Sequence, residues 1–321
     1  MKATTLATFA LSAVSALAAP TKTFAKRAAI TDGPDVGYAT LNGGTTGGAG
    51  GSTTTVSSLA QFTAAAEADG AAVIVVSGNI SGAAKVRVGS DKTIIGKDSS
   101  AVLEGVGLYI NKQKNVIVRN LSIKNVLAEN GDAIGIQASQ NVWIDHCDLS
   151  SDRDHDKDYY DGLLDVTHAS DYITLSNNYL HDHWKASLVG HSDSNGSEDK
   201  GHLTVTYYQN HFENLNSRGP SFRFGTGHIV NNLYTSVSDG INARQGAQLL
   251  VEGNVFTGSK KPLYSTDAGY AAVNDNDFGG AENTAEAGTL TASDLGYKYT
   301  ALKSSEVSAA VSKSAGATLT F

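Results

Sequence analysis

Six short segments of this chain close on an apolar residue, at Ile123, Leu149, Leu180, Phe212, Tyr234 and Phe256, with intervals of 26, 31, 32, 22 and 22. They read N-V-I-V-R-N-L-S-I, N-V-W-I-D-H-C-D-L, Y-I-T-L-S-N-N-Y-L, T-V-T-Y-Y-Q-N-H-F, H-I-V-N-N-L-Y and L-L-V-E-G-N-V-F. Two residues before each closing position the column is Leu121, Cys147, Asn178, Asn210, Asn232, Asn254. Four asparagines in register predict amides hydrogen-bonded from coil to coil, as in other Asn ladders. β-rich units repeating at roughly 20–30 residues predict a parallel β-helix. A β-sandwich would need hairpins, and no paired two-residue turns separate these strands. The fold class is therefore all-β, with loop excursions where the interval lengthens.

A second column occupies the other half of each repeat. A-I-G-I (133–136), L-L-D-V (163–166), A-S-L-V (186–189), S-F-R-F (221–224) and I-N-A-R (241–244) each begin a short strand. The third positions are Gly135, Asp165, Leu188, Arg223 and Ala243. Side chains alternate along a strand, so Asp165 and Arg223 are expected on one face. Just before the column come Asp132, Asp161, Lys185 and Arg218, and coils about 4.8 Å apart would gather all of these into one patch.

Upstream, residues 28 to about 52 are rich in Gly, Thr and Asp, and the Gly-rich run 43–51 lacks the Lys-Ser/Thr of a phosphate loop. Ser57 and Ser58 precede L-A-Q-F-T-A-A-A-E-A, with Leu59, Phe62 and Ala66 on one face, which predicts a short amphipathic helix capping the array. The segments 71–78 and T-I-I-G have strand character. After Phe256 the ladder is expected to fade, and the tail, with a short helix at S-S-E-V-S-A-A-V-S, to pack over the last coils.

The first 20 residues have an early lysine, an apolar run and small residues at 16–19, the pattern of a secretory signal (1–18). A propeptide over 19–27 would end at the dibasic Lys26-Arg27, leaving one domain over 28–321. Removing Lys2, Lys22, Lys26 and Arg27 takes the formal charge from -8 to -12. Such an acidic, secreted, extracellular protein is a poor nonspecific nucleic-acid binder, and no later apolar run would span a membrane. A monomer is expected. The lone Cys147 excludes an intrachain disulfide, and within W-I-D-H-C it reads as a buried small hydrophobe. His146 beside it reads as a structural histidine.

Asp132, Asp161 and Asp165 supply three hard oxygen donors whose mutual repulsion a Ca²⁺ ion would relieve; zinc would want His or Cys. Lys185, Arg218 and Arg223 beside them suit a substrate that carries carboxylates, because guanidinium groups bind carboxylates through paired hydrogen bonds.

The strand W-I-D-H (143–146), the segment D-G-L-L-D-V and above all R-G-P-S-F-R (218–223) resemble the pectate lyase family, over about residues 57–260. The resemblance implies a right-handed parallel β-helix. It implies calcium held by Asp132, Asp161 and Asp165, substrate binding by Lys185, Arg218 as catalytic base and Arg223 as carboxylate-binding arginine. Asn130 stands where some members carry a further acidic ligand, and the signal and processing site are similar to those of secreted fungal members.

The implied reaction is β-elimination on α-1,4-linked galacturonan, with polygalacturonate (pectate) as the polymeric partner. Arginine is normally a fixed cation, so Lys185 or a water stands as the alternative base. A calcium-independent pectin lyase, a polygalacturonase hydrolase and a noncatalytic polysaccharide-binding β-helix are the rival readings. Intact aspartates count against the first, missing G-H-G and R-I-K signatures against the second, and the retained lysine and arginines against the third. Asn79, Asn120 and Asn195 open N-x-S/T sequons.

Overall fold

The central coils each contribute one short strand to each of three faces, and all strand-to-strand ladders run parallel. The computed structural model describes Met1 and residues 28–321, so apart from Met1 the signal and propeptide segments expected over 1–27 lie outside the described residues. The front face stacks Ile134–Gln137, Leu164–Thr167, Leu188–Val189, Ser221–Arg223, Asp239–Arg244 and Lys261–Ser265. The middle face is an 11-stranded sheet that includes Gln140–Asp145, Asp171–Ser176, Thr204–Tyr208, Thr226–Val230 and Gln248–Glu252. The rear face stacks Asp148–Ser150, Tyr179–Lys185, His211–Ser217, Leu233–Val237 and Val255–Thr257. Two long strands, Asn79–Arg87 and Val102–Asn111, pair with each other, and the second pairs with the rear face at its start and the front face at its end. The chain is thus a parallel β-helix.

The expected closing column is the observed register. Ile123 pairs with Leu149, Leu149 with Leu180, Leu180 with Phe212, Phe212 with Tyr234 and Tyr234 with Phe256. These side chains fill the interior, and Phe212, Tyr234 and Phe256 stack with centroids 4.8 and 4.1 Å apart. Such contacts add about 0.5–1.5 kcal/mol each beyond the burial of area.

The asparagine ladder forms at the corner between the middle and rear faces. The Oδ1 of Asn178, Asn210, Asn232 and Asn254 accepts from the backbone N–H of the preceding ladder residue, each at 2.9 Å. The Nδ2 groups donate to main-chain oxygens of Ile144, Leu175, Tyr207 and Ile229 at 2.8–3.0 Å. The residue before each ladder position, Asn177, Gln209, Asn231 and Gly253, has φ between 52° and 58°, a left-handed bend that the ladder holds in place. The ladder does not fade after Phe256. Asn276 adds a fifth rung, accepting from Asn254 N–H, and Phe278 follows it against Phe256 at 5.7 Å. N-D-N-D-F hides this rung because two extra polar residues surround it.

The capping helix is Leu59–Glu67, with Ser58 accepting from the Gln61 N–H and with Phe62 and Ala66 buried on the first coils. The Gly-rich run forms no strand, but Ser52–Val56, at its end, pairs with Ala72–Val76. The tail helix packs over the late coils as expected, but the residues after it reach back to the early coils rather than staying at the end of the stack. Helix Ser304–Ser314 buries Val307 and Val311 against Leu233 and Val255, and residues beyond it run back along the corner. Leu302 bonds Asn231, the Gly316 N–H donates to Asn177 O at 2.8 Å, and Leu319 exchanges two hydrogen bonds with Asn120.

Trp143 is buried beneath the N-terminal segment with Ala39 and Ile117, and Arg119 lies over its ring at 4.7 Å. His146 pairs with Asp145 at 2.8 Å, as expected of a structural histidine. Cys147 is fully buried, and burial pushes its thiol up to about 12, consistent with an inert core residue. The Asn120 sequon is buried too; its amide is spent on Gly96 O and Leu319 O. Asn79 is exposed and Asn195 partly so.

Candidate active site

On the front face Leu164 and Val166 point into the core, which turns Asp165 between them outward. Asp165 is in register with Gly135 of the coil before, and its Oδ1 accepts the Leu188 N–H at 2.9 Å. Asp132, just ahead of the front strand, accepts the Gly162 N–H at 3.0 Å. A Cβ at Gly162 would stand 2.6 Å from the Asp165 carboxylate, so only glycine leaves room there. Burial raises both carboxyl groups, and mutual repulsion adds to it for Asp132, which lies well above the usual range, while Asp165 is pushed up to about 6.

Asp161 faces the same space but turns to Lys185, whose Nζ is 3.2 Å away and 3.4 Å from Asp158. The Asp161 main-chain oxygen accepts from His183 Nε2 at 2.5 Å, and Ser151 bonds the other ring nitrogen. His183 is buried and held neutral, its pKa lowered to about 4 by that burial. Among the described residues no three His, Cys, Asp or Glu side chains are already gathered in ligand geometry. The aspartates are neighbours rather than a finished cage.

Arg218 places its guanidinium 3.8 Å from Asp165 Oδ2, in a left-handed backbone conformation (φ 65°) just before the cis Gly219–Pro220 bond. Arg223 reaches the adjoining loop instead, with Nε donating to Asp193 Oδ1 at 2.6 Å and NH1 to Gly190 O at 3.0 Å. Gly190 permits this approach, because a Cβ there would lie 2.7 Å from Arg223 Cβ. Asp193 also accepts from Arg244 at 2.7 Å, so one carboxylate holds two arginines.

The front column needs correction in its last two coils. Leu188 is in register with Ser221, not with Arg223, and Arg223 with Arg244, not with Ala243. The first slip is two residues, which keeps Arg223 on the outward side. The second is one residue, so Ala243 pairs with Phe222 in the core and Arg244 is the outward residue. Sequence reading therefore missed Arg244, along with Asp193 and the buried His183. The core-facing rhythm of S-F-R against N-A-R was the available signal for Arg244; nothing local marks Asp193.

A loop over residues 151–163 flanks this patch. Tyr160 donates to Asp152 Oδ2 at 2.9 Å, and Trp184 donates to His155 O at 2.8 Å with Arg153 over its ring at 4.8 Å. Tyr159 is exposed, whereas Tyr160 is buried.

Fold and site together define a parallel β-helix protein with a cleft of clustered carboxylates and cations on one face. The pectate lyase family model matches residues 7–318. A probable pectate lyase A of Aspergillus flavus is 66% identical over 307 residues, covering 95% of both chains. Pectate lyase A of Aspergillus niger is 65% identical over 308 residues, covering 95% of this chain and 94% of that relative. Among solved structures, a pectate lyase from Bacillus sp. N165 in complex with trigalacturonate superposes with a TM-score of 0.80 at 31% identity, covering 88% of this chain and 98% of its own. The chain belongs to the pectate lyase family.

Proposed function

We propose that this chain is a secreted, calcium-assisted pectate lyase that cleaves α-1,4-linked galacturonan by β-elimination. The observation that carries the site assignment is the pairing of Arg218 with Asp165 at 3.8 Å across the intervening Leu188–Val189 coil, a cation facing the most deeply set carboxylates of the cleft. The trigalacturonate held by the related Bacillus structure supports a polyuronate substrate. No helix among the described residues is long and apolar enough to cross a membrane.

The aspartates fit a hard divalent cation. Asp132 and Asp165 resist ionisation where they stand, and positive charge between them would remove both the repulsion and part of the burial penalty. Asn130 Nδ2 is buried without a partner beside Asp132, and rotating that amide would present its oxygen there instead. Asp132, Asp161 and Asp165 would hold the ion, with Lys185 released from Asp161 towards substrate. Bound Ca²⁺ supplies positive charge to the uronate carboxylate and so acidifies the adjacent C5–H.

Lys185 and Arg223 grip carboxylates of the sugar chain and fix its register. Arg218, after releasing a guanidinium proton to solvent, takes the C5 proton; the C5–H electron pair becomes the C4–C5 double bond, and the C4 oxygen leaves and is protonated by water. Cation charge around the site stabilises the enolate-like intermediate. Lys185 or a water is the alternative base, which substitution separates.

The test is ultraviolet absorbance of the unsaturated uronide while protein meets de-esterified polygalacturonate, with Ca²⁺ and then with excess chelator. A rise abolished by chelation is expected. A chelator-resistant rise would point to a metal-free lyase, new reducing ends without absorbance to a hydrolase, and neither signal to a binding protein.

A further inference from the structure

Lys85 and Arg87 leave strand Asn79–Arg87 on the side away from the core, because Val86 between them is buried. Arg87 is in register with Tyr109, Tyr109 with Gly135 and Gly135 with Asp165. These positions form one outward row that runs from two cations to the carboxylate faced by Arg218. Lys85 Nζ lies 5.3 Å and the Arg87 guanidinium carbon 5.6 Å from the Tyr109 ring centroid. The ring is fixed in turn, its hydroxyl donating to Gln137 Oε1 at 2.9 Å.

Charge pairing separates these two cations from the four nearest the clustered aspartates; Lys261, at the far end of the face over the Tyr264 ring, is another one without an ion pair among the described residues. Lys185, Arg218, Arg223 and Arg244 each pair with an aspartate, whereas neither Lys85 nor Arg87 forms an ion pair among the described residues. An aromatic face orders a cation without neutralising it. An incoming anion then has no protein carboxylate to displace. Lys85, Tyr109, Asp132 and Gly135 border one small depression, and Gly135 places no side chain on the row between Tyr109 and Asp165.

We propose that Lys85, Arg87 and Tyr109 form an outlying uronate subsite that binds the carboxylate of a galacturonate unit two or three sugars from the cleaved bond. This rests on the galacturonan reading above. Neighbouring strands advance by roughly 4.8 Å, close to the length of one pyranose unit, so Arg87 stands roughly 14 Å from the Asp165 position along the row. A stretched polyuronate chain lying on the front face would reach both.

The double variant Lys85→Gln, Arg87→Gln tests it in two ways. In native gels containing polygalacturonate, wild-type migration is retarded, and the variant is expected to lose a large part of that retardation, a reading independent of catalysis. In turnover, the KM for long polygalacturonate is expected to rise about five- to twentyfold with kcat within about twofold, and KM to depend less on salt. Trigalacturonate kinetics should change far less. Equal retardation of wild type and variant, or no retardation of either, overturns the subsite. So does an equal loss on trimer and polymer. If wild type binds the polymer but forms no unsaturated product, the lyase reading fails while the gel comparison still decides the subsite.

Discussion

The corner ladder and the front cleft are built on the same coils and obey opposite rules. At the corner successive coils from Asn178 onward repeat one residue type, the amides of Asn178, Asn210, Asn232 and Asn254 are buried, and each finds a main-chain acceptor. On the front face the charge changes along the stack, from Asp132 and Asp161 to Lys185 and Arg218, and the Asp165 carboxylate repels that of Asp132. Repetition buries polar groups at little cost because neighbours satisfy one another. Departure from repetition places unlike charges side by side, which is what proton removal beside an anion requires.

That contrast breaks most sharply under substitution at Arg218. Arg218→Lys is expected to lower kcat by about 10²–10⁴-fold while leaving the unfolding free energy within about 0.5 kcal/mol, measured by unsaturated-product formation and by denaturant titration. A comparable loss of stability would mean that the cleft is structural like the ladder. Asn210→Ala should do the reverse. Asn210 lies mid-ladder, and removing it strands the Asn178 N–H and the Leu175 oxygen, costing roughly 2–4 kcal/mol with unchanged kcat per folded molecule.

Calcium should separate the regions further. At a hundredfold excess over its Kd, Ca²⁺ is expected to stabilise the fold by about 2.7 kcal/mol, and Asp132→Asn should erase most of that shift while Asn276→Ala leaves it intact. Thermal unfolding with and without chelator reads this directly. The smallest effect concerns Asp145, a charge that belongs to the repetitive side. Burial pushes its carboxyl up, but His146, Arg119 and Asn177 outweigh that and hold it below the ordinary carboxylate range. A carboxylate so depressed stabilises the fold above its unfolded pKa of about 4 and loses that contribution as pH falls through its folded value. Stability measured from neutral to acid pH should fall less in Asp145→Asn than in wild type, with lyase activity at neutral pH preserved.

The same division governs what could be read beforehand. The rear register was legible to the residue from Ile123 to Phe256, because an apolar period and an asparagine column cannot both survive a slip. Asn276 escaped because its surroundings, not its own position, broke the pattern. On the front face strands of two to six residues carry too little periodicity to fix register, and the last coils slipped by two and one. Asp161, Asp165, Lys185 and Arg218 nevertheless lie together on that face as the column predicts, since they border or sit in strands whose core residues are clear. Asp193 and His183 act across loops and through burial, which no local spacing encodes.

The tail's route along the corner gives the molecule a history. A stack of coils with contacts only between neighbours can fray from either end. Here residues 302–319 fasten Asn231, Asn177 and Asn120 in sequence, so coils made early are latched by chain made late. During synthesis the early coils can form but stay unlatched until residue 319 is available. A glycan attached to the Asn120 amide before then would occupy the nitrogen that the Leu319 oxygen needs, and the latch would never close.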